Sequence, residues 1–239
     1  MRLRRPVFHT YWIIVPAILM LAGCLSGSRP DVLISPDMDK RLRHINSLPL
    51  AVALYIEPTL RTHVQEAPLN QSEPGTPYYV FPNFVFPIGK PLSAKIEETS
   101  RKVFSKVVLI DSLQTPEYLA ERGLDGVLAV RLKDSKIELE MDRSVWRAIG
   151  RHNLAITASF SNTKQDKIWE AEIAVEGKSL DFITSRVEQE WWMTTGPKFG
   201  PAVDDAIQKL TYDLAQKLVT SEEISAYISN AAKPQPSHP

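Results

Sequence analysis

"HNLAITASFSN" at residues 152–162 and "KIWEAEIAVEG" at residues 167–177 are the two stretches that decide the fold. In both, an apolar residue recurs at every second position, which is the pattern of a half-buried strand. The apolar positions are Leu154, Ile156, Ala158 and Phe160, then Trp169, Ala171, Ile173 and Val175. The polar segment "NTKQD" separates them, so the sequence predicts an antiparallel hairpin with a connection of four to five residues.

A long amphipathic helix is predicted downstream of this hairpin. An apolar stripe with helical spacing runs through Phe199, Val203, Ala206, Ile207, Leu210, Leu214 and Leu218. Upstream, residues 124–141 are a long strand candidate whose alternation changes parity across Lys133-Asp134-Ser135, which indicates a bulge or a turn. Residues 178–198 show no clear periodicity.

The N-terminal half adds further elements. The patterns predict strands at 48–57 and 106–111, a helix beginning near Pro91 and a short helix at 115–123. We therefore expect an α+β domain over residues 48–221, with a mostly antiparallel sheet and two main helices packed on one face. Residues 222–239 are expected to form a short helix and a disordered tail.

Residues 58–90 and the pair Trp191-Trp192 fit no regular element. Four prolines, at 74, 77, 82 and 87, exclude a helix or a central strand from the first segment. Its aromatic side chains either pack on their own domain or bind a partner, and the tryptophans either pack in the core, stack on a sugar or touch a membrane interface. The candidate partner or ligand surface is formed by Tyr78, Tyr79, Phe81, Phe84, Trp191 and Trp192.

The N-terminus carries a targeting signal. A basic start and an apolar stretch of about 15 residues, shorter than a membrane span, are typical of a secretory signal peptide. The apolar stretch ends in Leu21-Ala22-Gly23-Cys24, which resembles the lipobox of bacterial lipoproteins. This resemblance implies that the chain is cleaved between Gly23 and Cys24 and that Cys24 is acylated, including with palmitate. The alternative is an uncleaved anchor with an incidental cysteine. In the lipoprotein interpretation, residues 1–23 are the signal peptide and residues 24–47 are a lipidated tether. In that family, Leu25 implies the outer membrane, with the domain facing the periplasm.

Composition excludes several functions. Residues 1–23 hold three arginines and no acid, so the remaining 216 residues carry 25 basic and 28 acidic side chains. This balance gives no reason to expect nucleic-acid binding. The scattered histidines lack metal-ligand spacing, no nucleophile elbow occurs, and the only cysteine is expected to be lipidated. The sequence thus predicts no catalytic residue, no metal and no cofactor.

A wider resemblance rests on four segments: 88–111, 124–132, 167–177 and 200–221. Together they are similar to YajG-like outer-membrane lipoproteins, which implies a layout like the N-terminal domain of TolB. Lipopolysaccharide-assembly lipoproteins of the LptE type are a second candidate.

The resemblance implies a non-catalytic lipoprotein that scaffolds or assembles an envelope or export complex, with a protein partner or a homo-oligomer. The alternative is a lipid- or glycan-binding module. An envelope hydrolase is the third hypothesis.

Overall fold

The structure is a computed structural model that describes residues 31–71, 83–142 and 144–231. The strands of this part are β1 Leu48–Ile56, β2 Gln65–Gln71, β3 Asn83–Phe86, β4 Phe104–Ile110, β5 Gly126–Asp142, β6 Arg147–Asn162 and β7 Lys167–Phe182. Its helices are α1 Pro58–Arg61, α2 Gly89–Val103, α3 Pro116–Glu121, α4 Arg186–Thr195, α5 Gly200–Val219 and α6 Glu222–Ala231. A 3-10 helix, Lys40–His44, precedes β1. None of the described helices is both long enough and apolar enough to cross a membrane.

The seven strands form one mixed sheet. Its order is β3-β2-β5-β1-β4, with β6 paired to β5 and β7 to β6. The pairs β1–β4, β1–β5 and β2–β5 are parallel, whereas β2–β3, β5–β6 and β6–β7 are antiparallel. The α+β class is confirmed, but the expectation of a mostly antiparallel sheet is wrong. Parallel neighbours need a crossover connection, and α2 provides one between β1 and β4. A layout like that of the TolB domain stays a prediction.

The predicted hairpin is confirmed and is longer than expected. Ile156 pairs with Ile173 and Phe160 with Trp169, as the alternation requires, and pairing continues to Arg147 opposite Phe182. The change of parity in β5 is also confirmed, because the register shifts between Leu132 and Asp134. This bulge returns the apolar side chains that follow it to the core face.

The two faces of the sheet are covered differently. Helices α2 and α5 pack on each other and on one face, and the side chains of their apolar stripes belong to one large core. On the opposite face, α3 covers a separate small cluster formed by Ala53, Ile110, Leu119, Leu124 and Val127. Thr115 caps α3, within the predicted short helix, by accepting a hydrogen bond from the Tyr118 backbone N–H.

Helix α5 also protects the open edge of β7, which among the described strands pairs only with β6. A Cβ at Gly177 would lie 2.1 Å from the Ala202 carbonyl oxygen, so the helix backbone rests directly on the strand. Beside it, Asp205 accepts a hydrogen bond from Lys178 N at 3.0 Å, and Lys209 Nζ donates to the Glu176 carbonyl at 3.0 Å. These side chains satisfy edge groups that would otherwise attract another strand.

The domain extends beyond the predicted limits of 48–221. Ile34 and Leu42, inside the expected tether, are buried in the large core. At the other end, Ile224 is buried, and the hydroxyl of Tyr227 donates to the Asp125 carbonyl at 2.8 Å. The tether thus joins the fold from residue 31, and the helix expected after residue 221 is an integral part of it.

The proline-rich region contains two strands that the sequence did not predict. Strand β2 lies in the segment expected to be a polar loop, and β3 fits between Pro82 and Pro87. Prolines exclude central strands but are compatible with edges, and β3 is an edge strand. Residues 72–82 of the expected loop lie outside the described residues.

Candidate functional site

The predicted site residues are only partly described by the structure. Gly23, Cys24, Tyr78, Tyr79 and Phe81 lie outside the described residues, so lipidation and the role of the loop aromatics stay predictions. Trp191 belongs to α4.

Phe84 and Trp192 are both buried, with 2% and 1% of their surface exposed. The ring of Phe84 meets Phe199 edge-on, with 5.1 Å between the ring centroids. Trp192 Nε1 donates to an Asp181 carboxylate oxygen at 3.0 Å, which satisfies the indole in the core. Neither side chain is exposed to solvent, so a protein partner cannot contact them in this conformation.

Phe84 nevertheless reaches a cavity. A partly open pocket of about 450 Å³ lies where the N-terminal segment, β3 and the loop before α5 meet. Its wall is largely apolar and includes Val32, Leu33, Phe84, Pro197, Phe199 and Pro201. Pockets of this size and character are common binding sites for small apolar ligands.

The N-terminal segment forms one wall of this cavity and is fixed to the domain. Val32 N donates to the Val85 carbonyl at 2.8 Å, and Ser35 N donates to an Asp204 carboxylate oxygen at 2.8 Å. Burial raises the pKa of Asp204, and nearby Asp37 acts in the same direction, whereas the hydrogen bond from Ser35 opposes them. Asp204, near the start of α5, thus anchors the N-terminal segment.

A buried polar network that the sequence did not reveal lies around His152 on β6. Its Nε2 is 3.0 Å from Ser135 Oγ, which donates to Gln65 Oε1 at 2.8 Å. With the serine proton directed at Gln65, the histidine carries its proton on Nε2 and leaves Nδ1 as a lone pair. That buried Nδ1 has no hydrogen-bond partner among the residues that the structure describes. Burial, with a contribution from His63, lowers the pKa of His152 to about 4, so the ring is neutral near pH 7.

The contact between Ser135 and His152 resembles an activated nucleophile, but it lies in the core. A catalytic histidine must accept the serine proton and be reachable by substrate. Here the proton points to Gln65, and the His152 side chain is wholly buried. Sequence distance concealed the cluster, because Gln65, Ser135 and His152 come from three different strands. The described residues contain no group of three or more His, Cys, Asp or Glu that could hold a metal ion.

Comparison with known proteins gives fold-level similarities only. No family model and no curated protein matches the chain. A DUF330-family protein from Xanthomonas campestris superposes with a TM-score of 0.46 at 10% identity, over 83% of this chain and 98% of the other. A putative neuraminyllactose-binding hemagglutinin homolog from Helicobacter pylori gives 0.37 at 15% identity, over 83% and 98%. A minor lipoprotein from Acinetobacter baumannii gives 0.32 at 9% identity, over 79% and 100%. With TM-scores below 0.5, these likenesses carry no inference about what this chain does.

Proposed function

We propose that this chain is a lipid-anchored protein of the outer membrane that faces the periplasm and scaffolds a cell-envelope or export complex without catalysing a reaction. The observation that carries the proposal is the short interval between lipid and domain. The lipobox ends at Cys24, and the β-bridge between Asp31 and Val85 already belongs to the fold.

This interval limits how far the domain can lie from the membrane. Seven residues in fully extended conformation span at most about 25 Å. The domain is thus held beside the bilayer rather than on a long tether. Such a position suits a protein that organises partners at the membrane surface.

The anchor is tested by fractionating cells that express the wild type, Cys24→Ala or Leu25→Asp. We expect the wild type in the outer membrane and the Cys24→Ala variant unprocessed and without lipid. By the resemblance to lipoproteins, Leu25→Asp should move to the inner membrane while keeping its lipid. A Cys24→Ala chain that is processed and fractionates like the wild type would contradict the proposal.

The scaffolding role is tested by crosslinking in cells and identification of the captured partner. Alanine variants at Tyr78, Tyr79, Phe81 and Trp191 then show whether those residues hold the partner. Loss of capture with folding intact assigns the surface to them. Capture of no envelope protein and no second copy of this chain would argue against a scaffold.

A second candidate function, a lipid- or glycan-binding module, is favoured by the apolar cavity beside Phe84. An acyl chain matches the apolar part of its wall better than a sugar does, while Asp31, Ser35, Lys198 and Asp204 add polar groups to the lining. Tryptophan fluorescence titrations with fatty acids and with oligosaccharides distinguish the two ligand classes. Leu33→Glu, at the rim, should weaken acyl-chain binding without changing the fold, and an absence of any response would remove this candidate.

A further inference from the structure

Large apolar side chains are exposed at one end of the molecule, which we call the distal end. It comprises the turn 144–146, the end of β7 and the start of α4. Its exposed side chains are Val145 at 54%, Leu180 at 57%, Phe182 at 54% and Val187 at 77%. Clustered exposed apolar groups of this kind mark binding surfaces.

Backbone contacts bring these residues together. Phe182 is the register partner of Arg147, and Ile183 N donates to the Trp146 carbonyl at 3.1 Å. Ser185 then caps α4, which places Val187 in the first turn of the helix, directly after the end of β7. Leu180 and Phe182 are two residues apart on one strand, so they point to the same face.

The first described residues of the chain run away from this same end. Strands β2 and β5 run in parallel toward the distal end, and β3 runs back from it. The bridge between Asp31 and Val85 is parallel, so the chain around Asp31 runs in the direction of β3.

Among the described residues near the distal end, some arginines lie beside carboxylates. Arg147 lies 3.5 Å from an Asp142 carboxylate oxygen, and Arg151 lies 2.9 Å from Glu140. Such pairs leave little net field to attract anionic headgroups. Attraction to a bilayer at this end would come from the apolar side chains instead.

We propose that the distal end docks on the lipid bilayer, with Val145, Leu180, Phe182 and Val187 inserted at the headgroup boundary. The inference rests on the lipid anchor of the proposed function. The anchor brings the domain within reach of the bilayer, and the apolar end sets its orientation. Side chains on a docked apolar face reach about 5–10 Å into the headgroup and acyl boundary.

The experiment uses the single cysteine of the chain. Lipidation occupies the Cys24 thiol, so an added cysteine takes a thiol-reactive fluorophore at one position only. The lipidated full chain with Val187→Cys is labelled with an environment-sensitive dye. It is then reconstituted in phosphatidylcholine vesicles that contain a lipid spin-labelled near the headgroup.

Leu113→Cys is the control, because Leu113 is also exposed, at 57%, but lies at the opposite end. Its neighbour Gln114 accepts a hydrogen bond from Gln165 in the β6–β7 turn, at 3.5 Å. The strands between that turn and Phe182 are about 50 Å long. A dye there should stay in water.

We expect quenching of roughly twofold or more at residue 187 and almost none at residue 113. Phe182→Glu should reduce quenching at residue 187 while the protein stays on the vesicles, and added salt should change little. Equal quenching at both positions, or none at residue 187 on vesicle-bound protein, would overturn the docking alone. Failure of the wild type to stay on the vesicles would overturn both the anchor and the docking.

Discussion

The two faces of the sheet differ in the depth of their cores. Helices α2 and α5 bury one face under a continuous apolar layer, whereas α3 covers only five core side chains on the other. The outer face also carries ion pairs between strands, such as Arg151 on β6 with Glu140 on β5, and Lys133 on β5 with Glu172 on β7. The fold is therefore stabilised mainly from one side, which leaves the other side free to change with little cost in stability.

The test with the largest expected effect on stability compares Leu210→Ala with Leu119→Ala. Both side chains are fully buried, Leu210 on α5 and Leu119 on α3. We expect losses of about 4 and about 2 kcal/mol in the free energy of unfolding, because the six-residue α3 can shift to fill its cavity and the long α5 cannot. Urea unfolding of the chain from residue 25 onward measures both. Equal losses would show that the two cores are equivalent.

A second test uses pH, since His152 lies on the helix-covered face. Its pKa is about 4 in the folded protein against 6.5 for a free histidine. As the pH falls from 6.5 to 4, the unfolded chain binds a proton that the folded chain does not. Stability is thus full above pH 6.5 and decreases through this window by about 3 kcal/mol.

Unfolding curves at several pH values measure this slope. His152→Asn removes the titrating ring and should flatten it, whereas His44→Asn, at a position outside the core, should leave it unchanged. A slope that persists in His152→Asn would place the pH dependence in other groups.

The smallest expected effect lies at the edge where the two faces meet. Asp205→Ala removes the acceptor of Lys178 N and the partner of Lys209, and should cost about 1 kcal/mol. The variant should also self-associate more, because the edge of β7 loses its cover. Lys217→Ala, an exposed change on the same helix, is the control in urea unfolding and light scattering. Equal stability and equal self-association of the two variants would show that Asp205 does not protect the edge of β7.

The sequence predicted the elements whose periodicity is strong and local. Strands β6 and β7, the bulge in β5 and helix α5 were predicted because each pattern repeats over many residues. Strand β2, "QEAPLNQ", was missed because its mostly polar side chains lack an apolar alternation, and its pairing with β5 is fixed by residues 70 positions away. The parallel pairs were missed for a similar reason, since strand direction depends on how distant segments meet.

The candidate site was less predictable than the fold. Aromatic composition pointed to Phe84 and Trp192, but burial depends on tertiary packing and placed both inside. The cavity combines residues 31–35, Phe84 and residues 196–204, and no sequence window shows such a set. The His152 network, drawn from three strands, was hidden in the same way.

The bond between Ser35 and Asp204 has a consequence for biogenesis. Its partners are 169 residues apart, so this contact cannot form until α5 is present, whereas the contacts of Val32 with β3 need only the first third of the chain. Contacts of such high sequence separation form late in folding. Under the proposed export from the N-terminus, the Ser35–Asp204 contact would form only after almost the whole polypeptide has been delivered.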